Sequence, residues 1–249
     1  MFFLQVALGL AIGFSLGLLG GGGSILTVPA LVYLIGQSPN TAIATSLAIV
    51  SANSATGAIF HHSQGTLNWK VALIFGGAGI GTAYLSAGLS NLISPTAILI
   101  IFALLMVAVT STLLLQQDKE KAFIKPKPVL FIVISGVIVG ILTGLLGVGG
   151  GFLIVPALTI LVGLPMQTAV GTSLVIIAVN SLAGFLGHIG IVSLDLQLTL
   201  TFVLAGLIGS FFGAKLSNRI SSLFLQKTFA VFVIALAFFL LYDNLIKLL

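Results

Sequence analysis

Apolar residues run along this chain in stretches too long for a soluble core, and glycine interrupts them at recurring places. The stretches cover residues 3–20, 25–36, 42–60, 71–89 and 98–115, then 129–147, 152–163, 169–187, 196–213 and 229–246. Crossing roughly 30 Å of hydrocarbon takes about 20 helical residues, so most of these predict membrane-spanning helices. Two are too short, since about 12 residues of helix reach only about 18 Å. Residues 25–36 and 152–163 therefore predict half-crossings or re-entrant limbs. Pro29 and Pro156 suit the first turn of a helix better than its interior, so residues 20–28 and 147–155 are expected to be non-helical.

The two sets of stretches are copies. G-F-S-L-G-L-L-G-G-G-G-S-I-L-T-V-P-A-L from Gly13 to Leu31 returns as G-I-L-T-G-L-L-G-V-G-G-G-F-L-I-V-P-A-L from Gly140 to Leu158, 127 positions later and in one frame. Internal duplication of this kind divides the chain into repeat 1 (1–116), a linker (117–128) and repeat 2 (129–249). Prolines and the lysines Lys119, Lys121, Lys125 and Lys127 mark the linker as a cytoplasmic loop.

Composition narrows the class. With 59% apolar and 5% charged residues, the chain cannot cover a water-facing surface, so the expected fold is an all-α, polytopic integral membrane protein. Each repeat is expected to hold one glycine-broken helical hairpin and about three spanning helices. The N-terminal run lacks a basic flank and an A-x-A site, and reads as mature structure rather than a leader. Cysteine is absent, which removes disulfides and thiolate metal sites. The net charge of +5 sits in loops and ends, where it reports orientation and makes no case for nucleic acid.

Charge placement orients the repeats. Lys70 follows the third stretch, whereas the equivalent loop of repeat 2 carries Asp195; the uncharged loop at 86–95 is matched by one with Lys215 and Arg219. Parallel repeats would put Lys215, Arg219 and Lys227 outside, against the positive-inside rule. An inverted second repeat puts every strong positive cluster inside and both chain ends outside, with Lys247 as a mild counter-signal.

Irregular backbone inside a membrane is tolerated only where protein buries it or where it lines a wet cavity. Gly21, Gly22, Gly23 and Ser24, with Gly149, Gly150 and Gly151, are therefore candidates for a substrate site, where a broken helix aims free N–H groups and a positive dipole end at an anion. Packing through small residues is the competing use of such glycines. A polar stripe follows on the next helix: Ser46, Asn53, Gly57 and His61, repeated as Ser173, Asn180, Gly184 and His188, with Thr45 and Thr172 before the serines. Hydroxyls and amides can replace water around an oxyanion, or simply bond one helix to another.

His61 and His188 are candidates for proton coupling, although histidines at the ends of spans need no functional role. Asp243 apart, no carboxylate lies within an apolar stretch, which disfavours a carboxylate proton relay or sodium site. The only G-x-S-x-G, at Gly13 to Gly17, lies inside a membrane stretch and has Leu142 at the serine position of the second copy, so it is a chance match. H-E-x-x-H and the P-loop lysine are missing, and nothing calls for a metal or other cofactor. An enzyme is not expected.

The doubled glycine-run and P-A-L pattern, each copy followed by Ala-Thr-Ser-Leu (Ala44 to Leu47) or Gly-Thr-Ser-Leu (Gly171 to Leu174), resembles the sulfite exporter TauE/SafE family over nearly the whole chain. The resemblance implies a prokaryotic plasma-membrane permease for sulfite, sulfoacetate or another organosulfonate. Ala44 against Gly171, and Ser24 against Gly151, imply that the halves contribute unequally. The expected function is export of such an anion by rocking of the repeats about a site between the hairpins, with the anion and the lipid bilayer as partners. A homo-oligomer is compatible with the chain, which does not choose its state. A non-transporting membrane subunit and an anion channel are the alternatives.

Overall fold

A computed structural model describes residues 2–89, 128–146, 150–189 and 194–217, together with individual positions at 94–111, at 192 and at 219–242; the side chains of Gly22 and Phe152 are not described. The linker, Gly149 and the C-terminal residues from 243 onward lie outside the described residues. Among the described residues every regular element is helical. In order they are α1 (Phe2–Leu19), α2 (Gly22–Pro29) with a π-helical extension (Ala30–Leu34), α3 (Pro39–Ser63) and α4 (Trp69–Leu89). The second half gives α5 (Val129–Leu146), α6 (Gly151–Pro156) with its own π-helical extension (Ala157–Val162), α7 (Met166–His188) and α8 (Leu196–Ser217).

Six of these, α1, α3, α4, α5, α7 and α8, are long and apolar enough to cross a membrane. Leu73, Leu85, Leu196, Leu204 and Phe212 point outward, as lipid-facing residues do. Local signals start the helices: Ser38 accepts from Thr41 N–H ahead of Pro39, Asn68 Oδ1 accepts from Val71 N–H at 3.1 Å, and Asp195 Oδ1 accepts from Leu198 N–H at 3.0 Å.

The broken hairpins differ from the sequence expectation in one respect. The helix resumes at Gly22, so residues 22–28 are helical and only Gly20 and Gly21 interrupt the chain; likewise residues 151–155 are helical after Gly150. Pro29 and Pro156 end their α-segments instead of opening them. A proline has no N–H to continue the i→i−4 ladder, so Ile25 O loses its helical donor; the ladder resumes with Ala30 N–H on Leu26 O and then widens into a π-turn, with Ile35 N–H donating to Ala30 O at 3.1 Å. The short limb does return beside α1: Gly23 lies against Ile12 and Leu16, and Tyr33 comes level with Leu8 across an apolar groove.

Contacts along the helices give their directions. Gly13 meets Gly206 and Gly17 meets Ser210 and Ala214, so α1 and α8 run parallel; Asn53 meets Gly206 and Gly57 meets Ser210, so α3 joins them. In the same way Gly136 meets Phe75 and Gly144 meets Ala83, while Gly79 meets Asn180 and Gly187 meets Tyr84, so α4, α5 and α7 form a second parallel set. The sets meet along α3 and α7, which are antiparallel: Gly184 faces Leu47, Ser51 Oγ donates to Ala178 O at 2.9 Å, and Gly171 faces Thr66. Each set thus takes two long helices from one half of the sequence and one from the other.

Glycine makes the seams. Gly9, Gly13 and Gly17 on α1 repeat every fourth residue, as do Gly136, Gly140 and Gly144 on α5. A methyl at Gly13 would overlap the Gly206 carbonyl, and one at Gly144 would overlap the Ala83 carbonyl. Backbones this close gain dispersion and C–H···O contacts, which drive helix association where water gives no hydrophobic force. Phe75 and Phe202, among the largest fully buried side chains, stand 127 positions apart against Gly136 and Gly9.

Candidate functional site

The two hairpin tips meet in the interior. Gly20 has a φ of +70°, a left-handed conformation that favours glycine, and it turns the chain from α1 into α2. Gly150 has a φ of +68° and caps the start of α6. A Cβ on Gly151 would come 2.7 Å from Ser24 Oγ and 2.8 Å from Gly21 Cα, so the first turns of α2 and α6 touch with no side chain between them. Neither N-cap, Gly21 or Gly150, provides a side-chain hydrogen bond. Ser24 Oγ donates to Gly21 O at 2.7 Å, which leaves its lone pairs for another donor.

Of the Thr-Ser pairs, the second lies beside the first tip. Ser173 Oγ donates to Val170 O at 2.7 Å and lies 3.4 Å from Gly20 O, so α7 packs on the first tip. Thr172 Oγ1 accepts from Asn68 N–H at 2.9 Å. Thr45, Ser46, Thr172 and Ser173 are all fully buried, and Thr45 Oγ1 has no hydrogen-bond partner.

The asparagines sit elsewhere. Asn53 lies flat on Gly206 of α8 and Asn180 on Gly79 of α4, one in each helix set, so they do not converge with each other. Both amides are fully buried with neither polar atom hydrogen-bonded. Ser210 Oγ donates to the Asn53 carbonyl at 3.1 Å, a bond to its backbone only. His61 lies between Thr66 Oγ1 (2.9 Å from Nδ1) and Gly17 O (3.4 Å from Nε2), and His188 Nδ1 lies 2.9 Å from Gly184 O. Both rings are buried.

Of the candidate residues, the structure brings together Gly21, Ser24, Gly150 and Gly151, with Gly20 against Ser173, and leaves Gly23 facing α1. Gly22 opens α2, and Gly149 lies outside the described residues. Sequence reading missed four buried hydroxyls without partners among the described residues: Ser54, Ser181, Thr143 and Ser217. The dipeptide Asn-Ser at 53–54 and again at 180–181 was the available signal for the first two. Thr143 presses on Gly150 and stands where the other copy has Leu16, so no repeat pattern marked it. The spaced glycines of the seams were equally visible and equally overlooked.

Comparison with known proteins covers nearly the whole chain. The family described as Sulfite exporter TauE/SafE matches residues 5–240. A probable membrane transporter protein of Xylella fastidiosa is 35% identical over 94% of this chain and 92% of its own length. The probable membrane transporter protein YunE of Bacillus subtilis is 29% identical over 91% of each chain, and MJ0441 of Methanocaldococcus jannaschii, also a probable membrane transporter protein, is 27% identical over 88% and 89%. No solved structure matches the chain.

Proposed function

The chain belongs to the sulfite exporter TauE/SafE family, as a multi-pass membrane transporter and not an enzyme, and from that premise we propose that it exports a small sulfur-containing anion, sulfite or an organosulfonate, across the prokaryotic plasma membrane by alternating access. The observation that carries this reading is the contact of the two hairpin tips at Gly21, Ser24 and Gly151. Two uncapped helix starts and a cluster of hydroxyls face one another with no carboxylate or cation among them. Backbone N–H groups suit an oxyanion that must shed water on entering the site, and the Ser24 and Ser173 hydroxyls can join them by turning their protons from Gly21 O and Val170 O to the anion.

The proposed repeats are inverted, a reading supported by the antiparallel α3 and α7, which are equivalent in the two halves. The helix directions gather the loop of Lys70 and the ends of α8 at Lys215 and Arg219 on one face, with Asp195 on the other, and the positive-inside rule makes the first face cytoplasmic. The moving bodies are then the two helix sets rather than the two halves of the sequence, because the glycine seams α1/α8 and α4/α5 fasten the halves to each other. Export needs no coupling carboxylate: one negative charge leaving an inside-negative cell gains about 2.3 kcal/mol per 100 mV.

Flux of labelled sulfite and of several sulfonates into proteoliposomes, with and without an imposed potential, tests the reading. Saturable flux that responds to the sign of the potential is expected; absence of saturable flux for every anion removes it. A reporter fused after Leu249 is expected to read outside, and a cytoplasmic signal there would defeat the inverted arrangement.

A further inference from the structure

We infer that Thr172 and Thr45, equivalent residues of the two repeats, act by turns as gate latch and anion ligand, and that the conformer described is latched at Thr172. The inference rests on the transport reading and assigns roles within the same site.

The loop between α3 and α4 lies across the start of α7. Asn68 N–H donates to Thr172 Oγ1 at 2.9 Å, and the Thr66 carbonyl would stand 2.6 Å from a Cβ on Gly171, so loop backbone rests directly on helix backbone. Thr66 N–H donates to His61 O at 3.2 Å, and Thr66 Oγ1 lies 2.9 Å from His61 Nδ1. Through the approach of His61 Nε2 to Gly17 O at 3.4 Å, the same loop is tied to the last turns of α1, just before the Gly20 tip. One strap therefore joins α1, α3 and α7 over the hairpin contact, on the face that carries Lys70. Thr172 and Ser173 beneath it are fully buried.

The opposite end has the same parts in a different state. Asp195 is the equivalent of Asn68 and caps α8 as Asn68 caps α4. Yet Thr45 Oγ1, the equivalent of the latched hydroxyl, is fully buried and has no partner. A hydroxyl on a helix can ordinarily bond back to a carbonyl three or four residues earlier, as Thr27 and Ser173 do here. Thr45 does not, so its proton is left for a ligand, and an oxyanion oxygen accepts it. Exchange of conformers would release Thr172 to the anion and give Thr45 to the Asp195 N–H. Duplicated residues in unequal states are what a two-state gate requires.

The chain has no cysteine, so introduced pairs report without background. In proteoliposomes the pair Asn68→Cys with Thr172→Cys is expected to form a disulfide under mild oxidant, and the probe is a sulfonate carried by the unmodified chain, since sulfite itself would cleave the bridge. Flux of that sulfonate should then fall by about ten-fold or more and recover on reduction. The pair Thr45→Cys with Asp195→Cys is expected to cross-link slowly without the sulfonate and several-fold faster with it. Equal cross-linking at both ends without the sulfonate, or a 68–172 bridge that leaves flux intact, overturns the inference. The unmodified chain offers a measurement free of folding concerns: exchange of the Asn68 amide hydrogen should be slow without sulfite and about ten-fold faster at saturating sulfite. Unchanged protection also overturns it. If the unmodified chain carries neither sulfite nor any sulfonate while only the 68–172 pair cross-links, the latch stands and the transport reading falls.

Discussion

Glycine does two different jobs in the seam of α1 with α8 and at the hairpin tips. In the seam, Gly9, Gly13 and Gly17 have ordinary helical backbone, and what matters is the missing side chain, since Gly206 and Ser210 backbone atoms occupy the place of a Cβ. At the tips, Gly20 and Gly150 hold φ values of +70° and +68°, so a left-handed backbone is required in addition to space, a Cβ there also meeting Val170 or Thr143. The first use fastens; the second breaks a helix and bares its start. Both kinds follow each other within a few residues, so glycine content alone could not distinguish scaffold from site.

Substitutions separate the two. Gly13→Leu is expected to have the largest effect, because a rigid backbone carbonyl cannot move aside as a flexible side chain would; overpacking costs typically 1–3 kcal/mol and here about the top of that range or more. Thermal unfolding in detergent should show a lower midpoint and reduced yield. A midpoint equal to wild type would mean the seam is looser than its contacts imply.

Gly150→Ala comes next. A left-handed residue with a Cβ costs about 1–2 kcal/mol, and the methyl would also press on Thr143 and Val139; the protein should still fold, with sulfite flux falling more than stability. Flux unchanged in a folded Gly150→Ala protein would make the tips structural and favour a packing role for them.

Asn53→Ala and Asn180→Ala test a place that belongs to neither class. Interhelical amides are worth about 1 kcal/mol or less, and these two lack partners, so the midpoint should barely move. A several-fold loss of flux without loss of stability is expected if the amides meet the anion in transit; loss of stability with normal turnover per folded molecule would make them structural. The smallest effect belongs to Lys70→Gln. This exposed charge should change the initial rate less than about two-fold, and the difference should vanish above about 0.5 M salt, where screening shortens its reach to a few ångströms.

Much of the arrangement was legible before any coordinates. Length and apolarity of the stretches identified the six spanning helices found among the described residues, those expected at 98–115 and 229–246 lying largely outside them, and the shortness of the stretches at 25–36 and 152–163 identified the short limbs. The stop of α1 at Leu19 followed from the glycines beyond it. The restart of the helix was misjudged: proline was read as the opening of a helix, whereas the helix runs past it into a π-turn at Pro29 and Pro156. Local propensity does not foresee that, because a helix can run up to and past a proline at the loss of one i→i−4 bond where packing supports it. For the site, Gly21, Ser24 and Gly151 were legible as breaks, while Thr143 was not, being a hydroxyl present in one repeat alone.

By itself the sequence determined that lipid is the solvent, that one passage recurs 127 positions later, and that glycine ends the first helix of each passage; these depend on composition, period and local backbone chemistry. Only the tertiary structure decided which helices run side by side and which hydroxyls are taken. Gly13 meets Gly206 across the sequence halves, and Thr172 is held by Asn68 while Thr45 stays without a partner. Identical motifs carry no record of their pairing, because close packing of backbones and the state of a hydrogen bond are properties of the neighbours that folding supplies.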